Sequence, residues 1–145
     1  MTEGSRLTLD NLGFLLAKAS QRWNELLHRE LAAAGFPDVR PAYGSLLIPL
    51  YEQDGLRQGE LARRARLSKQ TLTTMSRALE RDGLIERRPD PGDARATRIF
   101  LTERARELQP TAERILADLD EQVAAAAGAA SQALLKHALR TVVEL

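Results

Sequence analysis

Apolar residues recur at helical spacing through Leu9, Leu12, Leu15, Leu16, Ala19, Trp23, Leu26, Leu27 and Leu31, which predicts a long helix from Leu9 to about Ala34. Thr8 or Asp10 is placed to cap its start and Gly35 to end it. A second helix is expected from Pro41 to about Gln53. Pro41 takes the first helical position, and Pro49 is the point where the helix kinks or splits. Asp54-Gly55 reads as a turn. A short helix follows, about Gln58 to Arg66, with Leu61, Ala62 and Ala65 facing inward. Ser68 is a strong N-cap for the next helix, which runs to Asp82, and Gly83 stands where a left-handed terminator is wanted.

Beyond Gly83 the period changes from helical to alternating. Leu84-Ile85-Glu86-Arg87-Arg88 is expected to pair with Thr97-Arg98-Ile99-Phe100-Leu101 across a loop from Pro89 to Ala96, too long for a tight two-residue turn. Thr102 caps a further long helix carrying Leu108, Ala112, Ile115, Leu116, Leu119, Val123 and Ala127, with Pro110 near its start and Gly128 at its end. Ser131 then caps a last helix with Leu134, Leu135, Ala138, Leu139, Val142 and Val143 on one side.

Helix, turn, helix, strand, basic loop, strand is the order of a winged helix-turn-helix. At about 100° per residue, Leu72, Met75 and Leu79 fall on one side of the helix after Ser68, and Gln70, Thr73, Thr74, Arg77 and Arg81 on the other. One face is a core stripe. The other, with Ser68 and Lys69 at its N-terminal end, carries side chains suited to base edges in a major groove. Arg87, Arg88, Arg95 and Arg98 cluster on the hairpin, and Arg95 is the candidate to enter a narrow minor groove. Asp93, two residues earlier, is expected to orient an arginine through a salt bridge. An amphipathic helix with a polar exterior, beside a solvated charged loop, is the plainer alternative for the same residues.

Charge distribution supports the first reading. The net charge is only +1, yet the 57–106 segment holds 13 basic and 7 acidic residues, a net +6, between flanks of −2 and −3. One basic face between acidic ends is the footprint of a phosphate-facing surface. With no cysteine, disulfides, thiolate metal sites and thiol redox sensing are excluded. His28 and His137 are the only histidines, and no phosphate loop, metal-ligand spacing or catalytic triad is evident, so neither an enzyme nor a bound metal or cofactor is expected. No apolar run is long enough for a membrane span, and Met1–Asp10 carries no leader pattern, so a cytoplasmic location is expected.

The stretches Gly59-Glu60-Leu61-Ala62, Leu67-Ser68-Lys69-Gln70-Thr71-Leu72-Thr73 and Leu79 to Arg87 resemble the MarR family of regulators. Asp93-Ala94-Arg95 and Ile99-Phe100-Leu101-Thr102 match that family's wing signature. The chain departs from the pattern at Arg66, Ala94 and Ala105, where a small residue, an arginine and a glycine are frequent. The resemblance implies a mainly α fold with a small β-hairpin wing, in one domain over 1–145. The DNA-reading lobe would span about 40–102, with the helix-turn-helix at 57–83 and the wing at 84–102. Dimerisation helices would lie at about 8–35 and 103–145. It implies a double-stranded, pseudo-palindromic operator read by a homodimer closed by Leu12, Leu134, Leu135, Leu139, Val142 and Val143. It further implies repression relieved by a small phenolic or lipophilic ligand, with Trp23, His28, Tyr43 and Tyr51 as candidate pocket residues. A winged helix serving protein–protein contact without operator binding is the competing function.

Overall fold

In a computed structural model, residues 7–145 are described. Residues 1–6, part of the stretch read for a leader, lie outside them. Helix α1 runs Leu12–Ala33. It starts later than the apolar pattern suggests. Thr8 spends its hydroxyl on the Asp10 N–H in a turn of its own. Asn11, not Thr8 or Asp10, caps the helix by accepting from the N–H groups of Gly13 and Phe14. The end is as expected: Gly35 has φ +98°, and the N–H groups of Gly35 and Phe36 donate back to Ala32 and Leu31. These are the paired bonds of a left-handed helix terminator.

The expected single helix from Pro41 to Gln53 is two elements, a 3-10 turn at Pro41–Tyr43 and helix α2 at Gly44–Glu52. The break falls at Tyr43–Gly44 rather than at Pro49, which sits inside α2. Pro49 lacks the N–H that would pair with the Ser45 carbonyl. Ser45 is exposed, so water can satisfy that group. Strand β1, Leu56–Arg57, was not anticipated, because two residues carry no alternation. It adds to the hairpin of β2 (Ile85–Asp90) and β3 (Asp93–Leu101), giving an antiparallel sheet in the order β1-β3-β2.

Helix α3 spans Gln58–Ala65 and α4 spans Lys69–Arg81. Arg66 ends α3 in the left-handed region at φ 54°. Its N–H donates back to Arg63, so the arginine itself serves as the left-handed end of the helix. The C-terminal end of α4 repeats the α1 device, with Gly83 at φ +75° and the N–H groups of Gly83 and Leu84 donating to Glu80 and Leu79.

The wing differs most from expectation. Its strands continue to Asp90 and Asp93, which pair across a two-residue Pro91-Gly92 turn. The excess length is absorbed as a register shift after Pro89 that leaves Ala94, Arg95 and Ala96 unpaired on β3. The Gly92 N–H donates to Asp90 Oδ1 at 2.8 Å, closing a tight turn where the length of the Pro89–Ala96 stretch argues against one.

Thr102 caps α5, Glu103–Ala127, and also donates its hydroxyl to the Gly83 carbonyl, joining α5 to the end of α4. Pro110 is accommodated within α5. Helix α6, Ala129–Val143, starts directly after Gly128; Ser131 lies inside it and does not cap it. The core gathers Leu46, Leu50, Leu61, Leu72, Leu79, Leu84, Ile99, Leu108 and Leu119 from α2 through α5. Ser76 is buried among them, and its hydroxyl has no partner among the described residues.

Burying a hydroxyl without a partner costs free energy. Ser76→Ala is therefore expected to raise unfolding stability by roughly 1 kcal/mol in urea titration. Gly55 has φ +72°, and a Cβ there would stand 2.8 Å from the Phe100 ring. Gly55→Ala is expected to lower stability by about 1–3 kcal/mol in the same assay.

Candidate nucleic-acid interface

Helix α4 is amphipathic because one stripe must reach the core. Leu72, Ser76 and Leu79 are buried and Met75 is half-buried, whereas Gln70, Thr74, Arg77 and Arg81 are exposed on the opposite side. Ser68 Oγ accepts from the Thr71 N–H at 3.1 Å and fixes where the helix begins. Thr73 stands apart from the other predicted readers. It is half-buried, donates its hydroxyl to the Lys69 carbonyl at 2.8 Å, and accepts from Gln58 of α3 at 3.3 Å. Glu80, at the edge of the face, pairs with Arg87 of β2 at 2.6 Å and so ties the helix to the wing.

The wing arginines divide by partner. Arg95, on the unpaired segment, has 93% of its side chain exposed, and Asp93 steadies it by accepting from its N–H at 3.0 Å and its Nε at 3.4 Å. Arg88 pairs with Glu86 and stacks over Phe100, 4.6 Å from the ring centre. Arg98 is turned inward, unlike the exposed reader that its sequence position suggested. Its Nε donates to Asp90 at 3.1 Å and its Nη1 to the Gly55 carbonyl at 2.9 Å. Asp90 takes a second guanidinium, Arg57, at 2.6 Å, and is the one buried charged side chain among the described residues. The Gly92 N–H first, then Arg57 and Arg98, hold the Asp90 carboxyl below the usual carboxylate range, so it is ionised at neutral pH.

Helix and wing meet along one groove. Its walls hold Arg57 and Arg63 from β1 and α3, Lys69 and Thr73 from α4, and Arg95 and Thr97 from the wing. Arg57, Arg63 and Asp90 were not singled out in the sequence. Arg57 and Arg63 sit in a stretch dense with arginine, where only the fold tells inner from outer. Asp90 reads as an ordinary turn residue.

The terminal helices present the opposite character. Leu12, Leu134, Leu135, Leu139, Val142 and Val143 are exposed, and α6 has no buried residue. These side chains do not close the core of the single chain. Between α1, α2 and α5 lies a cavity of about 270 Å³ lined by Trp23, Leu27, Leu47, Ile48, Tyr51 and Leu116, with Arg40 at its edge. Of the four candidate pocket residues, Trp23 and Tyr51 line it. His28 is exposed on the outside of α1, and Tyr43 is buried with its hydroxyl donated to Asp82 at 2.5 Å. Burial pushes the Tyr51 phenol up to about 12, and its hydroxyl donates to the Ala105 carbonyl. Asp82 lies in a further network. Arg104 of α5 donates to its carbonyl and also to Asp38 in the connection after α1. The hydrogen bond from Arg104 lowers the Asp38 pKa.

A capped, half-exposed helix beside a basic three-stranded wing defines a winged helix-turn-helix protein. Residues 41–97 match the MarR family model. The exopolysaccharide II synthesis transcriptional activator ExpG of Rhizobium meliloti is 30% identical over 106 residues, covering 73% of this chain and 54% of that protein. The chain thus spans about half the length of that curated relative. Among solved structures, the transcriptional repressor CouR bound to a 23-mer DNA duplex superposes with TM-score 0.79 at 26% identity, covering 96% of this chain and 99% of that one. The PcaV regulator from Streptomyces coelicolor, solved with its natural ligand, gives TM-score 0.80 at 21% identity, with 97% of each chain covered.

A carboxylate whose folded pKa is lowered adds stability above its unfolded value and loses it as pH falls through the folded one. The stability gap between wild type and Arg104→Ala is therefore expected to be full above about pH 4 and to narrow below it. Urea titrations across pH 2–6 measure it, and a gap independent of pH would remove Asp38 from the account.

Proposed function

We propose that the chain is a sequence-specific regulator that binds duplex DNA as a homodimer, with α4 in a major groove and the wing tip in the adjoining minor groove. The observation that carries this reading is the shared cationic groove, in which Lys69 of α4 and Arg95 of the wing face one space. A helix reads a few base pairs through Gln70, Thr74, Arg77 and Arg81, while Ser68, Lys69, Arg87 and Arg88 are placed near the phosphates. Thr73 is the weakest of the proposed readers, since its hydroxyl is already bonded within the protein. Asp93 acts through Arg95 rather than on DNA.

One such lobe covers half a site, so a two-fold pair on a pseudo-palindromic operator follows. The exposed leucines and valines of α1 and α6 supply the joining surface. The DNA-reading lobe then spans about 40–102, with joining helices on either side. The likeness to a DNA-bound repressor over nearly the whole chain supports repression. The Trp23–Tyr51 cavity, between the joining helices and the reading lobe, is the place for a small phenolic or lipophilic molecule that favours a lobe spacing unsuited to DNA. Among the described residues no helix is long and apolar enough to cross a membrane. The proposed setting is the cytoplasm, where the DNA lies, and no catalytic step is assigned.

Selection of bound duplexes from random DNA, with wild type and variants compared on the winner, tests this. Arg77→Ala is expected to weaken binding by about 1–3 kcal/mol and relax preference at one position of each half-site. Arg95→Ala is expected to weaken binding and to reduce the preference for A·T pairs at the site edges. Leu139→Asp is expected to shift sedimentation to the monomer and weaken binding to the full site. Recovery of no preferred sequence by the wild type would favour a protein-contact module instead.

A further inference from the structure

The outer half of the wing has no apolar anchor. Beyond Ile85, residues 86–89 of β2 are exposed, and on β3 burial ends at Ile99. The hairpin nevertheless continues to Asp90 and Asp93, well past the core. Something other than hydrophobic packing must set its angle to α3 and α4.

The strand register makes the difficulty sharper. Arg57 of β1 stands opposite Arg98 of β3, and Arg98 stands opposite Arg88 of β2, so three guanidinium-bearing residues occupy one row across the sheet. Like charges directly opposite one another on neighbouring strands destabilise their pairing. Asp90 answers this. Its Oδ2 accepts from both Arg57 and Arg98, its Oδ1 accepts from the Gly92 N–H, and Arg98 reaches on to the Gly55 carbonyl. One buried carboxylate thus joins the strand leading into α3, the central strand, the wing turn and the loop after α2.

We infer that Asp90 is the positioning residue of the wing: clasped between Arg57 and Arg98, it holds the hairpin at the angle from which Arg95 and α4 reach the same duplex. Asp90 does not touch DNA in this account; it acts through Arg95. The inference rests on the proposed DNA-binding function. Without the clasp, β1 and β3 carry facing guanidinium groups, and the outer hairpin keeps only its strand hydrogen bonds and the exposed Arg87–Glu80 pair to direct it. A role as a simple charge mask makes the opposite prediction. Freeing Arg57 and Arg98 would then strengthen binding to any duplex and steepen its salt dependence.

The test is a double-mutant cycle on the full chain with Asp90→Asn, Arg95→Ala and the double variant. Each is titrated onto the selected operator and onto a non-specific duplex of equal length. Circular dichroism confirms folding, and Arg98→Gln is run as a second breaker of the clasp that leaves the groove cations in place. Positioning predicts that Asp90→Asn and Arg98→Gln each weaken operator binding on the order of tenfold, as Arg95→Ala does, and that Arg95→Ala costs little more in either background. Non-specific binding is expected to change far less. Fully additive losses, unchanged operator binding, or tighter binding to both duplexes would each overturn the inference while leaving the DNA-binding reading intact. A wild type that prefers no duplex would remove that reading itself, and the inference with it.

Discussion

Helix α4 has to be held by one face so that the other stays free, and the rest of the molecule is arranged around that constraint. Leu72 and Leu79 are fully buried, each worth about 1.5–3 kcal/mol of burial, and they lie among leucines from α2, α3 and α5. The ends are fixed separately. Ser68 caps the start, and the Gly83 terminator closes the finish. Tyr43 holds the Asp82 side chain, while Arg104 and Thr102 hold the carbonyls of Asp82 and Gly83. With backbone and inner face so engaged, Gln70, Thr74 and Arg77 need do nothing for folding, and Arg81 makes only an exposed pair with Asp82 at 3.7 Å. Side chains free of structural duty are the ones available to a partner.

The wing follows a different logic. Its base is packed through Ile85, Ile99 and Leu101, while its outer half is governed by charge. Arginines outnumber acids along the hairpin and neighbouring α3. The acids there are engaged by guanidinium groups: Glu60 by Arg63 and Arg64, Glu86 by Arg88, Asp90 by Arg57 and Arg98, and Asp93 by Arg95, while Glu80 of α4 meets Arg87. Arg95 is held loosely and reaches outward, whereas Arg98, half-buried, is engaged by Asp90 and the Gly55 carbonyl. The basic character seen along the chain thus divides into cations that build the wing and cations that the wing presents. In contrast, α1 and α6 leave leucines and valines uncovered, so the same chain exposes a polar face on α4 and an apolar one on its terminal helices.

Most of this architecture was legible in the sequence because its signals are local. The α4 stripe, the Ser68 cap, Gly35 and Gly83 as terminators, Thr102 as a cap and the change of period after Gly83 all act within a few residues of where they are read. What escaped depends on partners distant in sequence. Strand β1 exists only because β3 runs beside it. The inward turn of Arg98 depends on Asp90 and Gly55, 8 and 43 residues away. Asp90 looks like a loop residue until the tight Pro91-Gly92 turn folds it under the sheet. Tyr43 appeared as a pocket aromatic because its partner Asp82 lies 39 residues on. Two errors were local: Asn11 outcompeted Thr8 and Asp10 as a cap, and Gly128 left Ser131 no helix start to cap.

In the proposed mode of binding, α4 and the wing act together on one stretch of duplex. Fluorescence anisotropy with the selected operator, against a non-specific duplex of equal length and at two salt concentrations, tests it most directly. Tight binding that resists the competitor and weakens steeply with salt is expected, because several arginines and Lys69 displace counterions from phosphate. Weak binding, equal on both duplexes, would contradict it and would assign the exposed face of α4 to a protein partner.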